Sequence, residues 1–377
     1  MFAARIDRLT SSLVRDILAA ASKPGVISFA GGLPASEVLF RATPEVLGQL
    51  ADDIWQYGQT EGEPALREQV AIRARKLGIA CSAEQVLIVN GSQQGIDLLS
   101  KLMIEEGTPV LTESPTYLAA LQVFRLLGAR FVTAEQDEEG LLPEAVAAAD
   151  ARLAYLVPTF QNPTGLCYSL ARRKALAQAF DGQSMVVFED DPYRDLSFDG
   201  PAPAPIVSHL KQARWVYQGS FSKTLAPGLR LGYLIVHPDL IQAMTRLKQA
   251  ADLHSNRLSQ AIVTQLLKDG SLDQHVASIL PLYREKRDVM QAALLTHLGD
   301  KASWALPSGG LFFWLTLNHE QDVMQLMQEA LEAGLAIMPG SAFDPVPRQT
   351  STIRLNFSHA TFEQIEQGIA LLGALVK

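Results

Sequence analysis

Cysteine is nearly absent, with only Cys81 and Cys167 in 377 residues. Two such residues make no disulfide framework, so a cross-linked extracellular scaffold is excluded and a reducing compartment is expected. Positive charge is also short. The chain has 32 Lys and Arg against 40 Asp and Glu, a net charge of −8, whereas a protein that tracks a phosphate backbone presents a basic face. No nucleic-acid partner is expected. Membrane spans are missing too, because even the long uncharged run from Leu153 to Ala171 is interrupted by Pro158, Gln161, Asn162 and Pro163. The first ten residues hold no apolar core followed by a small-residue cleavage site, so no signal peptide is expected and the chain reads as cytoplasmic. Internal repeats and low-complexity linkers are not found. What remains is a globular composition, 48% hydrophobic and 19% charged, long enough for two domains that share a large core.

The order of patterns along the chain narrows the fold. Residues 11–21 carry apolar side chains at helical spacing, with Ser11 or Ser12 available as a cap, and Lys23-Pro24-Gly25 ends that helix. Ile27 to Ala30 reads as a short strand, and Gly31-Gly32-Leu33-Pro34 as a tight turn where backbone approaches a ligand closely. Pro64 opens a helical run to Leu77, and Gln85 to Asn90 reads as a strand. Gly91-Ser92-Gln93-Gln94-Gly95 then leads into a helix through Met103. A strand, a Gly-Ser turn and a helix N-terminus make an anion site, although an ordinary connecting loop has the same pattern. Strands at 108–112, 130–134, 153–158, 185–189, 214–219 and 231–236 alternate, in the main, with helical segments, one of which is expected to start at Glu113-Ser-Pro-Thr-Tyr117. That alternation predicts a mostly parallel α/β sheet with loops converging at its C-terminal edge. From Pro238 the pattern is helical to about residue 298, broken at Asp269-Gly270 and Pro281, and the tail mixes strands with helices.

The stretch from Gly219 to Gly232, Gly-Ser-Phe-Ser-Lys-Thr-Leu-Ala-Pro-Gly-Leu-Arg-Leu-Gly, carries the chemistry. Lys223 follows Ser220 and Ser222, and Arg230 lies seven positions on. This suits a phosphate-bearing aldehyde, with the lysine forming a Schiff base and the hydroxyls and guanidinium holding the phosphate. A Ser/Gly-rich loop with one solvated lysine fits these residues as well. Upstream, Glu189-Asp-Asp-Pro-Tyr193 closes an apolar run that reads as a buried strand.

With these motifs the chain resembles the pyridoxal-phosphate (PLP) aminotransferases of class I/II, fold type I. Within them it is most similar to the 2-aminoadipate and kynurenine aminotransferase group. The likeness runs from Ile27-Ser-Phe-Ala-Gly-Gly-Leu-Pro34 to Ile353-Arg-Leu-Asn-Phe357. It implies a large PLP-binding α/β domain over residues 46–285 and a smaller α+β domain from 1–45 and 286–377. The resemblance assigns Lys223 to the aldehyde and to proton transfer, and Asp190 to the pyridine nitrogen. An acid followed three positions later by tyrosine selects Asp190 with Tyr193 over Asp191. Tyr193 and Asn162, in Asn-Pro-Thr-Gly, would meet the ring's phenolate oxygen. Ser92, Gln93, Ser220, Ser222 and Arg230 would form the phosphate cup, and Tyr117 would stack on the ring. Tyr57 would reach the phosphate of a neighbouring subunit, which makes the expected species a homodimer. Gly32 and Asn162 would line the substrate pocket, and Arg354 would bind the α-carboxylate as a planar fork that lysine could not replace. Arg15, on the N-terminal helix, would meet the distal carboxylate of an acidic substrate.

The resemblance therefore implies ping-pong transfer of an amino group from an L-amino acid to a 2-oxo acid, with 2-oxoglutarate the expected acceptor. Two alternatives share its features. Another PLP reaction, such as β-elimination or decarboxylation, uses the same cup, although an arginine for the α-carboxylate favours transamination over decarboxylation. Transcription regulators that carry an aminotransferase-like domain share the Gly-Gly-Leu-Pro turn. Only about two dozen residues precede that turn here, too few for a winged helix, and the chain is acidic.

Overall fold

The computed structural model describes residues 2–9, 17, 19, 23–48 and 50–377. Seven strands form its central sheet: β1 (Val86–Val89), β2 (Pro109–Thr112), β3 (Arg130–Thr133), β4 (Leu153–Leu156), β5 (Val186–Asp190), β6 (Trp215–Ser220) and β7 (Gly232–Val236). Their order is β1-β7-β6-β5-β4-β2-β3, and only β7 runs antiparallel to its neighbours. Strands buried on both faces read as continuous apolar runs, and β1, β4 and β5 are buried at every residue.

Successive side chains nevertheless alternate between two cores. Val86, Ile88, Val187 and Ile235 point to one, closed by helices Pro64–Lys76, Leu170–Asp181 and Arg257–Lys268. Leu87, Val89, Phe188 and Leu234 point to the other, closed by Ser92–Met103 and Leu118–Leu127. A third core lies under a smaller sheet of β8 (Ala302–Ser303), β9 (Phe312–Leu317), β10 (Met338–Pro339) and β11 (Thr352–Asn356), in the order β8-β9-β11-β10. Helices Ser271–Leu298, Val323–Glu332 and Phe362–Leu375 cover it.

Three expectations change in detail. Pro281 does not break the helical run, because it sits inside one 28-residue helix, Ser271–Leu298. A proline in a helix interior costs about 3 kcal/mol, and here the buried face that includes Ile279, Tyr283, Met290 and Leu294 outweighs it. The helix expected from Glu113 begins instead at Leu118, after a cis Ser114–Pro115 bond, with Tyr117 as its cap residue. The strand expected over 27–30 is the pair Ile27–Ser28, joined in parallel to Leu335–Ala336. The helix expected over 11–21 lies outside the described residues except for Ile17, which is buried, and Ala19. Among the described residues no helix is long and apolar enough to cross a membrane.

Candidate active site

In a parallel sheet the chain leaves each strand at one edge, and loops from that edge meet in a crevice. Here they enclose a cavity of about 470 Å³. It is lined by Ser92, Gln93, Tyr117, Asn162, Asp190, Tyr193, Ser220, Ser222, Lys223 and Arg230 from the large sheet's loops. Gly32 and Arg354 close it from the other side. Of the fourteen residues singled out in the sequence, the structure thus brings twelve to one cavity. Tyr57 is not among them. It is 76% exposed and stacks edge-on against His254 at 5.7 Å, away from the cavity of its own chain. Arg15 lies outside the described residues.

Lys223 is half-buried and donates to the Gly32 carbonyl at 2.8 Å. Burial, reinforced by the charges of Arg354 and Arg230, lowers its pKa to about 8. A neutral amine is therefore far more available than on an ordinary lysine. Asp190 ends β5 with 2% exposure. Its Oδ2 accepts from Tyr155 Oη at 2.7 Å and its Oδ1 from Gln218 Nε2 at 2.8 Å. Burial raises its pKa to about 6 against the pull of those two donors, and Asp191 adds to the rise. Asp191 itself pairs with Arg194 and accepts from Tyr217 Oη at 3.0 Å, and it does not line the cavity.

Arg354 lies on β11 opposite Trp314 and Met338. Its Nη1 donates to Asn162 Oδ1 at 2.7 Å and its Nη2 to the Ala30 carbonyl. Its guanidinium carbon stands over the rings of Phe312 and Phe343, at 4.5 and 4.8 Å. Burial lowers its pKa to about 10, so it stays cationic at neutral pH. Its buried Nε has no partner among the described residues, which leaves an N–H for an incoming anion. Asn162 also donates to Tyr193 Oη at 3.4 Å, and burial raises the Tyr193 pKa. Tyr117, at the start of its helix, is pushed up to about 12 by burial and then by Asp190.

The phosphate end is a cup of backbone and hydroxyl groups. Gly91, at φ +74°, caps the helix that begins at Ser92. A methyl group on it would lie 2.8 Å from Arg230 Nη2, so the glycine lets the guanidinium close on the turn. Arg230 itself adopts a left-handed conformation, φ +48°, and donates to the Asn90 carbonyl at 3.4 Å. Free helix N–H groups, Ser220, Ser222 and a guanidinium are the donor set a phosphate monoester requires. Tyr155 and Gln218, which hold Asp190, were not singled out in the sequence. Their only signal is a polar group inside an otherwise apolar strand.

A fold of this topology, with one desolvated lysine and a strand-end carboxylate beside a phosphate cup, defines a class of transferase. The chain belongs to the family of class I and II aminotransferases, whose model matches residues 25–372, and it is a PLP-dependent transaminase of fold type I. It is 38% identical to the 2-aminoadipate transaminase of Thermus thermophilus, over 98% of this chain and 95% of that one. It is 35% identical to aromatic-amino-acid aminotransferase 1 of Thermococcus litoralis, over 98% and 92%. The solved structure of the α-aminoadipate aminotransferase LysN from Thermus thermophilus, complexed with N-(5'-phosphopyridoxyl)-L-leucine, superposes with a TM-score of 0.88 at 36% identity. That match covers 99% of this chain and 96% of that one.

Proposed function

We propose that this aminotransferase takes its amino group from 2-aminoadipate, glutamate, or an aromatic or branched aliphatic L-amino acid. 2-Oxoglutarate is its acceptor, and it works as a homodimer with shared sites. One observation carries the reading: Lys223, Asp190 and Arg354 converge on one cavity, each with the electrostatic state transamination needs.

The cavity fits the cofactor, because a phosphate cup, a ring-nitrogen acceptor and an amine of lowered pKa face the same space. Bound PLP supplies an electrophilic aldehyde and an electron sink for the pair left at the substrate Cα. Ser92, Gln93, Ser220, Ser222 and Arg230 would hold the phosphate. Asp190 would accept from the ring nitrogen and keep a proton there. Tyr117 would pack against the ring, and Tyr193 with Asn162 would donate to the phenolic oxygen. With the cofactor bound, Lys223 Nζ would hold the aldehyde at rest and, once freed by the substrate amine, would act as general base for the Cα proton and deliver it to the former aldehyde carbon. Arg354 grips the α-carboxylate with its free Nε–H and a rearranged Nη. The substrate side chain would then point past Gly32, and Arg15 would meet a distal carboxylate. Tyr57 of the partner subunit reaches the phosphate.

The relative named for 2-aminoadipate and the one named for aromatic amino acids, with the leucine adduct of LysN, support a pocket that accepts both acidic and apolar side chains. In the proposed division into 46–285 and 1–45 with 286–377, the core beneath the small sheet is drawn mainly from the second unit, from Phe29 to Ala35 and Met290 to Val376, with Phe160, Tyr193 and Ile279 joining it from the first. A donor screen tests the proposal. Single amino acids are mixed with the holoenzyme while cofactor absorbance is followed. Conversion by glutamate or 2-aminoadipate is expected, and reversal by 2-oxoglutarate should follow. A protein converted by neither acid, or not reversed by 2-oxoglutarate, sinks the substrate assignment.

A further inference from the structure

Two side chains with no place in that mechanism hold the acid at its centre. Asp190 ends β5, flanked by β4 and β6. Gln218 is its register partner on β6, and Tyr155 reaches it from β4. Both are fully buried. The Tyr155 ring is fixed by edge contacts with Phe124 and Phe188, each at 5.4 Å. Gln218 has the stranger environment, because its Oε1 has no partner among the described residues. An apolar side chain of the same shape would pack there without that desolvation cost, so the contribution specific to the amide is its donor to Asp190.

The sequence makes room for this amide. Gly95 lies in the first turns of the helix Ser92–Met103, and a methyl group on it would stand 2.0 Å from Gln218 Oε1. Glycine is a poor helix former, and here it opens the notch that the amide fills. The same helix start presents Ser92 and Gln93 to the cavity. We propose that Gln218 and Tyr155 are positioning residues, a two-donor clamp that holds Asp190 ionised and turned toward the cavity, with Gly95 as the notch that seats it. The inference rests on Asp190 being the partner of the ring nitrogen.

Two hydrogen bonds to the charged form keep a buried carboxyl ionised, so losing either raises its proton affinity. A proton shared with a ring nitrogen then moves toward the carboxyl oxygen. The other titratable groups around Asp190 are Asp191 at the same strand end, Tyr117 and Tyr193. All three stay in place in the variants below.

The test uses apoprotein and holoenzyme. In the apoprotein, carboxyl 13C resonances of labelled aspartate are titrated, with Asp190 assigned by its loss in Asp190→Asn. Tyr155→Phe and Gln218→Met should each raise its midpoint by about one pH unit or more, and Gly95→Ala should behave like Gln218→Met. In the holoenzyme, the 15N resonance of the ring nitrogen should move toward its unprotonated position. Turnover should fall about ten-fold with the donor KM held within about two-fold. Both principal variants conserve shape, and Tyr155→Phe, which removes one oxygen, keeps the test open if Gln218→Met does not fold. An unchanged Asp190 midpoint and unchanged 15N resonance, even with slowed turnover, would reduce the pair to packing and overturn the clamp. Failure of the function reading would show separately, as wild-type holoenzyme inert to amino donors, while the apoprotein titration still decides the clamp.

Discussion

Asp190 and Asp191 are adjacent and both buried, yet one faces the cavity and the other faces Arg194. Their substitutions should separate chemistry from stability. Asp190→Asn should leave the fold intact and slow Cα proton removal by orders of magnitude, read by stopped-flow with Cα-deuterated donor. Asp191→Asn should do little to that step. It strands a buried guanidinium, so thermal unfolding should report a loss of roughly 3–5 kcal/mol. If the two effects are exchanged, the wrong aspartate has been assigned. Lys223 gives the matching pH prediction. Its lowered pKa means the neutral amine appears as pH rises through about 8. Capture of the aldehyde by apoprotein should accelerate through that region and level off above it. A midpoint near the ordinary lysine value of about 10.4 would contradict the desolvated site. At this scale the sequence was informative where chemistry demands one residue type at fixed spacing, as with Lys223 behind two serines. It was silent on Tyr155 and Gln218, because a polar tip inside an apolar strand looks the same whether it meets an acid or a backbone carbonyl.

Elements were legible wherever burial imposes a period. The apolar runs of β1 and β4 read as strands and that from Met185 to Phe188 as a buried one, and the caps at Ser169 and Thr361 accept helix N–H groups as their residue types suggest. Pro281 misled because a local propensity cannot register the core on which its helix packs. Gly140 is a further element-scale case. It lies at φ +102° at the start of the short strand Gly140–Leu141, and a methyl group there would fall 2.1 Å from the Tyr168 ring. That tyrosine donates at 2.7 Å to the buried Glu113, whose other oxygen accepts from the Val157 amide at 3.0 Å beside the cavity. Gly140→Ala should therefore cost roughly 2–4 kcal/mol, measured by denaturant unfolding, and a loss below 1 kcal/mol would show that the tyrosine yields freely. The N-terminal segment that carries Arg15 makes a contrast instead. Arg15→Ala should lower kcat/KM for glutamate or 2-aminoadipate about ten- to a hundredfold, the worth of one charge-assisted bond. Leucine and phenylalanine should be nearly unaffected, and an equal fall for both classes would make Arg15 a solvated charge.

For the molecule as a whole, Trp55 and Tyr57 stand out, 78% and 76% exposed although their segment is tied to Arg257 and His254 of the same chain. The proposed homodimer would cover such side chains and would send Tyr57 into the neighbour's phosphate cup. Tyr57→Phe should then weaken cofactor binding, and Lys223→Ala should abolish turnover. Mixing the two after dissociation should restore native affinity in part of the sites, because a heterodimer rebuilds one site with both wild-type groups. Equilibrium dialysis and activity of the mixture read this, and a mixture no better than its parts would place Tyr57 outside any site. Topology at this scale followed from the alternation of strands and helices. The antiparallel placement of β7 did not, since nothing in a strand's own residues states its direction.

The bond from Arg354 to the Ala30 carbonyl joins residues 324 positions apart. On a ribosome adding about 5–20 residues per second, Lys223 emerges several seconds or more before its counterpart across the cleft exists. In that interval this chain's own groups for the phosphate, from Gly91 to Arg230, and the strand β7 that joins β1 to β6 are already made, while the proposed grip on an amino acid is not. A nascent chain would thus carry its own groups for the cofactor before those for the substrate, and turnover would wait until the last strand of the small sheet is made.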